Sequence, residues 1–482
     1  MKGRLSFLKR NQALDLTVGK PIRRIIIFMV PLLIGNVFQQ LYSMVDTVVV
    51  GQTLGSAALS GVGSTGALSF LIMGFVSGLT HGFSVVTSQR RGARDEEGMR
   101  RSFANGIVLT VVLIGLLTLV AELVAKPILV AMNTYEEYLP YALEYITTIF
   151  GGMILSAFYN EFSSTLRAIG DSVVPLYFLI FASVLNAGMD CLFILVFKMG
   201  VRGAAMATLI SQGVSAVLTF IYMWTRYPVL RFKPKQLIPD IKMAKSQLRL
   251  GLPMALQFSV ISIGMIFGQS ALNSMDPKAI TGYVAATKID GLACSVINST
   301  GAAAATYVGQ NYGARRYDRI KLGMRQLLTL SFAASIGLGA LVIGLHRPLT
   351  MLFISKDEQT EQLFNYALRY LIFNAGFYVL LASLISCRSA LQGMGRGTIT
   401  LFAAALEVVM RVVVSMLAMN LSSYTLVCMC NLSAWIGANI ILVPSFLFVL
   451  SRYVPLIKKN IRRVRMPNPS LLPIEAKKQK RR

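Results

Sequence analysis

Long apolar segments recur along the whole chain, each separated from the next by a short polar stretch. A helix needs about 20 residues to cross the ~30 Å hydrocarbon core of a bilayer, because each residue adds ~1.5 Å along the axis. Twelve segments meet this requirement: residues 22–49, 57–86, 104–125, 139–165, 173–197, 203–224, 247–273, 279–308, 324–345, 364–390, 398–420 and 424–450. The pattern predicts an all-α polytopic membrane protein with twelve transmembrane helices, numbered in chain order.

An internal repeat divides the twelve segments into two sets of six. The matching positions are Pro31 and Pro253, residues 92–94 and 313–315 (both Gly-Ala-Arg), and residues 166–176 and 391–401, at offsets of 222, 221 and 225. Repeated six-helix units are typical of transporters whose two lobes enclose a cavity, whereas twelve helices around a fixed pore would not explain the duplication. The prediction is two pseudo-symmetric lobes with basic segments around them. The two lobes are predicted at 22–225 and 247–451. The basic segments are the N-terminus at 1–21, the linker at 226–246 and the tail at 452–482.

Composition and charge favour a membrane protein and argue against a nucleic-acid partner. Only 14% of the residues are charged and 55% are hydrophobic, whereas about 25% are charged in an average soluble protein. The net charge of +26 lies mainly in the connections: 38 of the 47 Lys and Arg residues fall on the side of both termini, and six on the other. By the positive-inside rule, we expect both termini in the cytoplasm.

Asp46 lies inside the first apolar segment, where a carboxylate is costly. An Asp in the middle of a membrane helix costs roughly 2.5–3.5 kcal/mol, so such a residue usually has a function or a partner. Gly35, Gln39, Tyr42 and Ser43 share its helical face. The first helix is therefore predicted to present a polar stripe to a cavity. The alternative is that Asp46 lies near a helix end and faces water.

Further polar side chains lie in helices four, five and six. Asn186 and Asp190 are spaced i, i+4, so they stack on one face of helix five. Helix six adds Thr208, Ser211, Gln212 and Ser215, and helix four adds Tyr145 and Asn160. Oxygen atoms around two carboxylates suit Na⁺, and the same carboxylates suit H⁺ because desolvation favours their protonated form. For Thr208 and Ser211, packing between helices is the alternative role.

The second lobe lacks acidic residues at the compared positions. The shift that matches Pro31 with Pro253 sets Gly268 against Asp46. The shift that matches residues 166–176 with 391–401 sets Ser415 against Asp190. Coupling to a cation is therefore expected in the first lobe only.

Glu407 and Arg411 are the prominent charges of the second lobe. They are spaced i, i+4 in helix eleven, which predicts a buried ion pair; a role in binding substrate is the alternative. The candidate cavity residues of both lobes are Gln39, Tyr42, Ser43, Asn160, Gln212, Gln257, Glu407 and Arg411.

Several motifs of this chain resemble those of the multidrug and toxic compound extrusion (MATE) family, in particular its bacterial DNA-damage-inducible (DinF-like) branch. They are PLLIGNVFQQLYSMVDTVVVG at 31–51, GAR at 92–94, LRAIGD at 166–171, NAGMD at 186–190 and GQNYGAR at 309–315. The resemblance extends from about residue 20 to residue 452. It implies two six-helix lobes in a V, with a central cavity that opens alternately to each side of the membrane.

The resemblance also implies where the coupling ion binds. The corresponding cation-coupling residues are Asp46, Tyr145, Asn186, Asp190 and Thr208, and Na⁺ as the ion would lie at Asp46, Asn186, Asp190 and Thr208. No cofactor is expected other than the coupling ion. Other branches of the family place acidic residues in helices seven and ten, and neither helix holds one in this chain.

The function implied is Na⁺- or H⁺-coupled antiport that exports drugs and toxic, often cationic, organic compounds. We expect a monomer in the inner membrane of a bacterium, surrounded by lipid and without a nucleic-acid partner. A flippase for lipid-linked saccharides, or an exporter of an endogenous metabolite on the same fold, is the alternative. An intramembrane enzyme is not expected, because no catalytic His, activated nucleophile or metal set is apparent in the apolar segments.

Overall fold

The computed structural model describes residues 13–132, 134–353 and 360–453, without the side chains of residues 41–52, 56, 59 and 131. The side chains of Tyr42, Ser43 and Asp46 therefore lie outside the described residues. So do most of the N-terminal segment predicted at 1–21 and nearly all of the tail predicted at 452–482.

Membrane-length helices make up most of the described chain. They are α1 (Pro21–Ser64), α2 (Gly66–Gly92), α3 (Glu96–Ala131), α4a (Leu139–Gly151), α4b (Met153–Ile169), α5 (Val173–Asp190), α6 (Gly200–Arg226), α7 (Ile241–Asn273), α8 (Pro277–Gly313), α9 (Tyr317–Gly344), α10a (Glu361–Ala375), α10b (Tyr378–Gly393), α11 (Gly397–Asn420) and α12 (Tyr424–Arg452). Ten helices of the described chain are long and apolar enough to span a membrane, or twelve spans when each bent pair counts as one. The predicted twelve-helix architecture is confirmed.

Two spans that the apolar pattern predicts as continuous are bent near glycines. α4a meets α4b at 50°, and α10a meets α10b at 42°. A Cβ on Gly152, at the first bend, would lie 2.3 Å from Leu209 Cδ1. A Cβ on Gly376, at the second bend, would lie 2.4 Å from the carbonyl oxygen of Ile372. The separation of Gly152 from Gly376 falls between the repeat offsets given above, so the bends follow the internal repeat.

The first helix is broken at Gly55, and a further helical stretch continues to Ser64. The apolar pattern placed a boundary between residues 49 and 57, but the chain stays largely helical to Ser64 and turns at Thr65. Gly55 interrupts the helix with a φ of +84°, a left-handed conformation that glycine adopts without steric cost. The break therefore falls within the predicted boundary between residues 49 and 57, although the next helix begins only at Gly66.

α1 contributes to the core of the second lobe as well as to the first lobe. Ile25, Phe28 and Leu32 are buried in the same apolar cluster as Tyr307 and Tyr378 of the second lobe. Further along, Gly35 faces α5 of the first lobe. The first helix thus packs against both lobes, which keeps its polar positions close to the boundary between them.

α2 of the first lobe and α7 of the second pack with very little space between their backbones. A Cβ on Gly78 would lie 2.5 Å from Ala255 Cα, and one on Gly82 would lie 2.3 Å from Gly251 Cα. Small residues at such crossings allow membrane helices to approach closely. This contact joins the two lobes along their inner helices.

The two lobes also meet backbone to backbone at one end of the bundle. This end, the linker face, carries both Gly-Ala-Arg turns and the connection between α6 and α7. A Cβ on Gly92 would lie 1.7 Å from the carbonyl oxygen of Gln310. A Cβ on Gly313 would lie 1.8 Å from that of Gln89. We call these four residues the reciprocal latch, because each lobe makes the same contact with the other.

The two glutamines of the latch also donate hydrogen bonds across the boundary. Gln89 Nε2 donates to the carbonyl of Gly393 at 2.9 Å, and Gln310 Nε2 donates to that of Ala168 at 2.9 Å. The two acceptors occupy matching positions of the repeated segments 166–176 and 391–401. Each side-chain amide therefore satisfies a helix-end carbonyl of the opposite lobe.

Residues 13–20, the N-terminal strap, cross the latch and bind both lobes. The Leu14 amide donates to the carbonyl of Gly170 in the first lobe at 2.9 Å. The Leu16 amide donates to Gln310 Oε1 in the second lobe at 3.1 Å, and the Leu16 side chain is fully buried. The strap therefore fastens the linker face from outside.

Asp15 stabilises the turn of the strap. Its carboxylate accepts hydrogen bonds from the Thr17 amide at 2.8 Å and the Thr17 hydroxyl at 2.5 Å. Burial raises the pKa of Asp15, but these bonds and the charges of Arg91 and Arg94 outweigh burial, so the pKa lies below its ordinary value. A lowered carboxyl pKa means that this stabilisation is present at neutral pH and is lost as the pH falls through the folded-state pKa.

A methyl group on either latch glycine should destabilise the protein to a similar extent. Gly92→Ala and Gly313→Ala each place a Cβ against a helix carbonyl that cannot turn away. We expect a loss of roughly 1–3 kcal/mol, as for overpacked sites, measured by thermal melting of the purified protein in detergent. Gly337→Ala is the control, because its Cβ meets open space in α9. Melting curves in which only one latch variant is destabilised would contradict the reciprocal contact.

Candidate functional site

Three of the predicted cation-binding residues lie together inside the first lobe. Asn186 and Asp190 are each 1% exposed, and Asn186 Nδ2 donates to the Thr208 hydroxyl at 3.3 Å. Asp190 is the last residue of α5, and a π-helical turn, Cys191–Val196, follows it. Single π-turns next to α-helices are frequent at functional sites. Asn186 of α5 and Thr208 of α6 are therefore in contact.

Tyr145 of α4a reaches the same region. It packs against Ile194 and Ala204. Ile194 lies four residues after Asp190, and Ala204 lies four residues before Thr208. Helices α4a, α5 and α6 therefore converge where the sequence predicts the coupling site.

The height of position 46 along α1 can be compared with that of Asp190 along α5, because the two helices are in contact at Gly35. Both helices begin at the linker face and run in the same direction, and a Cβ on Gly35 would lie 3.5 Å from Leu179 Cδ2. At ~1.5 Å per residue, equal steps along the two helices lead from Gly35 to position 46 and from Leu179 to Asp190. Position 46 and Asp190 are therefore at a similar height along the two helices, while the Asp46 side chain lies outside the described residues.

A cavity of about 510 Å³ lies between the lobes. Ser88 and Ala168 line it, and these residues adjoin the reciprocal latch, so the latch and strap form its floor at the linker face. Phe70, Phe258 and Trp435 contribute aromatic surface. The volume lies within the range of ~300–1,000 Å³ that is usual for sites that take drug-sized molecules.

The structure places the predicted cavity residues in different surroundings. Gln257 and Glu407 line the inter-lobe cavity. Gln39 is exposed on α1, and Asn160 donates to the carbonyl of Ser156 in its own helix. Gln212 is partly buried in α6 and is not among the residues that line this cavity in the described chain.

Glu407 is part of a three-residue charged cluster. Arg411 Nη2 lies 3.8 Å from Glu407 Oε1, as the i, i+4 spacing predicts. A second guanidinium, that of Arg388 in α10b, makes a closer ion pair with Glu407 Oε2. The side chains of all three residues are largely buried. One carboxylate therefore balances two arginines.

Arg167 and Arg388 are among the 38 Lys and Arg residues that the sequence places on the side of both termini. In the structure, both side chains line the inter-lobe cavity, together with His81. Their distance from one another in sequence conceals this arrangement, because each belongs to a different lobe.

A buried carboxylate in the second lobe escaped the sequence analysis. Asp290 of α8 accepts hydrogen bonds from the Tyr378 hydroxyl at 2.7 Å and the Tyr370 hydroxyl at 3.2 Å. Its position in the middle of an apolar segment was the available signal. Glu161 of α4b is likewise buried, with 1% exposure. The second lobe therefore contains a buried carboxylate, although the predicted spans of helices seven and ten hold no acidic residue.

The MatE family model matches the chain twice, at residues 31–192 and 253–417. The two matches begin at the repeated prolines Pro31 and Pro253, in agreement with the internal repeat. Among curated relatives, the probable multidrug resistance protein YpnP of Bacillus subtilis is 31% identical over 311 residues, which cover 64% of this chain and 69% of that protein. The probable multidrug resistance protein YoeA of Bacillus subtilis is 28% identical over 343 residues, or 70% of this chain and 74% of that protein.

The fold is also similar to solved structures. A crystal structure of MATE in complex with MaL6 superposes with a TM-score of 0.84 at 23% sequence identity, covering 93% of this chain and 100% of that one. Two family matches, related multidrug resistance proteins and a shared twelve-helix fold lead to one conclusion. The chain belongs to the MATE family, and it is a membrane transporter of the multidrug efflux type rather than an enzyme.

Proposed function

We propose that this protein is a cation-coupled antiporter that exports small organic compounds by alternating access. The observation that carries the proposal is the separation of two sites within one chain. Asn186 and Asp190 are buried inside the first lobe beside the half-buried Thr208, and a drug-sized cavity lies between the lobes. An ion bound at one site can then bias the position of a lobe that also forms the other site.

The ion bound at the first site is Na⁺ or H⁺ in this proposal. Asp190, the Asn186 amide oxygen and the Thr208 hydroxyl supply oxygen ligands, and the register of α1 adds position 46. Two neighbouring carboxylates in a desolvated site hold a proton or Na⁺ more readily than either carboxylate alone in water. Coupling through the first lobe is also what the DinF-like resemblance implies.

The direction of access follows from charge. The linker face carries most of the Lys and Arg residues, so by the positive-inside rule it faces the cytoplasm. In this conformation the latch and strap close the cavity from that side. Loading of cargo from the cytoplasm requires these contacts to separate, and the single polypeptide contains the complete path, so a monomer is sufficient.

Replacing Asp190 should remove coupling without unfolding the protein. Asp190→Asn keeps the size of the side chain but deletes the group that binds a proton or Na⁺. We expect cation-driven uptake of a fluorescent cargo into inverted vesicles to fall at least tenfold, with the melting temperature nearly unchanged. Glu137→Gln, a charge removal at an exposed position, is the control. Normal cation-driven uptake by Asp190→Asn would refute the proposed role.

A sodium jump at constant pH should distinguish the two ions. If Na⁺ is the coupling ion, uptake in inverted vesicles changes within the mixing time, and Asp190→Asn abolishes the response. If H⁺ is the coupling ion, only a pH jump changes the uptake. A cargo flux through the unmutated protein that changes with neither jump would contradict antiport.

Glu407 is expected to support structure rather than coupling. Glu407→Gln leaves Arg388 and Arg411 buried without their carboxylate, and breaking a buried ion pair typically costs ~3–5 kcal/mol. We expect a clearly lower melting temperature, while the protein that remains folded still responds to the cation gradient. Glu407→Asp, which keeps the charge, should recover most of the stability. A Glu407→Gln protein of normal stability that had lost coupling would show that Glu407 takes part in coupling rather than in structural support.

A further inference from the structure

The charged groups at the inter-lobe cavity are unbalanced. Arg167 from the first lobe and Arg388 and Glu407 from the second line the cavity. Arg411 lies behind Glu407 and shares its carboxylate with Arg388. Three guanidinium groups and one carboxylate give this described set a net charge of +2.

Arg167 has no acidic partner among the ion pairs of the described residues. Its Nε donates to the carbonyl of Ser163 in the preceding turn at 3.2 Å, which orients the guanidinium. The Nη atoms of Arg167 make no hydrogen bond found within the described chain. A planar pair of donors in a cavity matches the geometry of a carboxylate or a sulfonate.

The opposite wall also has more donors than acceptors. Arg388 Nε and Arg411 Nε and Nη1 are buried and have no acceptor in the described part of the chain. Leaving a buried charged donor without an acceptor is unfavourable, more so than leaving a neutral one. An anion bound beside Arg388 would compensate the charge that Glu407 can only partly balance.

A further positive charge lies on the same side of α8 as the cavity. Lys288, which is exposed, shares a helical face with Gly291, Ser295 and Asn298. Gly291 lies beside Gln40 of α1, and Asn298 lines the cavity. Lys288 therefore lies toward the end of the cavity remote from the linker face, where it adds to a potential that attracts anions.

The rest of the lining is apolar and aromatic. Phe70 comes from the first lobe, and Phe258 and Trp435 from the second. Such a surface suits a hydrophobic body, while the arginines suit a charged head. The cavity thus combines two recognition elements of different chemistry.

We infer that the cargo of this cavity is an amphiphilic organic anion, whose acidic group binds between Arg167 and Arg388 and whose apolar body packs on the aromatic side chains. The inference rests on the proposed function in that it takes this cavity as the cargo site. The expectation of a cationic cargo came from the family resemblance, whereas the charges of the cavity favour the opposite sign.

Two xanthene dyes of similar size and opposite charge provide the test. Carboxyfluorescein is the anionic probe, and a rhodamine ester is the cationic one. Uptake of each dye is measured in inverted vesicles under an imposed Na⁺ or H⁺ gradient. We expect the wild-type protein to accumulate the anionic dye in preference to the cationic one.

Arginine variants show whether the preference arises in the cavity. Arg167→Gln and Arg388→Gln should each raise the KM for the anionic dye about tenfold or more, because a charge-assisted contact is lost. Arg167→Glu should favour the cationic dye over the anionic one. Lys321→Gln, at an exposed position of α9, is the control and should change neither KM.

Binding is measured separately, by the shift in melting temperature that carboxyfluorescein produces in the purified protein. This keeps the inference testable when Arg388→Gln lowers the yield through the loss of its pair with Glu407, because Arg167 makes no such pair. Stabilisation of the wild-type protein but not of Arg167→Gln supports the inference. Equal stabilisation of both overturns it.

The uptake and melting measurements distinguish failure of the anionic-cargo inference from failure of the proposed antiport. Gradient-driven uptake of the cationic dye alone, unchanged in the arginine variants, overturns the anionic cargo and leaves antiport intact. If neither dye responds to a gradient, antiport of these dyes fails, and the melting shift alone decides whether the cavity binds an anion. No shift by carboxyfluorescein then overturns the inference as well.

Discussion

The backbone contact between the lobes at the linker face is the constraint on which the rest of the structure depends. At Gly92 and at Gly313, a carbonyl oxygen of the opposite lobe occupies the space that a side chain would fill. This approach brings the ends of α2 and α8 together and creates the floor of the cavity. It also determines where the N-terminal strap can lie, because the strap binds Gln310, a residue of the same contact. The close approach of the two lobes, and with it the closure of the cavity at one end, is thus possible because Gly92 and Gly313 have no side chain.

Two buried carboxylates of the second lobe are paired with side chains from other helices. Asp290 accepts hydrogen bonds from two tyrosine hydroxyls, and Glu407 forms ion pairs with two guanidinium groups. The two lobes differ in their charged residues: Asp190 of the first lobe is buried in its interior, whereas Arg388 of the second lines the cavity. A duplicated backbone therefore carries different charged side chains in its two halves.

Much of the fold can be predicted from the sequence, because it is recorded in local patterns. Apolar runs predict the spans, and the paired Gly-Ala-Arg turns predict the two lobes. The bends near Gly152 and Gly376 are not predictable in this way, since glycine is common in membrane helices, and only the contacts with Leu209 and with the carbonyl of Ile372 show that a side chain would not fit. The i, i+4 pair of Glu407 with Arg411 is visible in the sequence. The closer partner, Arg388, is not, because it lies on another helix 19 residues away.

The symmetry of the latch has a bearing on how such a chain could arise. In a two-fold dimer of identical subunits, a residue i of one subunit contacts residue j of the other, and j contacts i in return. The contacts of Gly92 with Gln310 and of Gly313 with Gln89 obey this relation within a single polypeptide. Each lobe therefore retains the self-complementary surface of a homodimer subunit. A half-length ancestor could have assembled through it before fusion of the two copies. Within one polypeptide the two halves can carry different charges, such as Asp190 in one and Arg388 in the other.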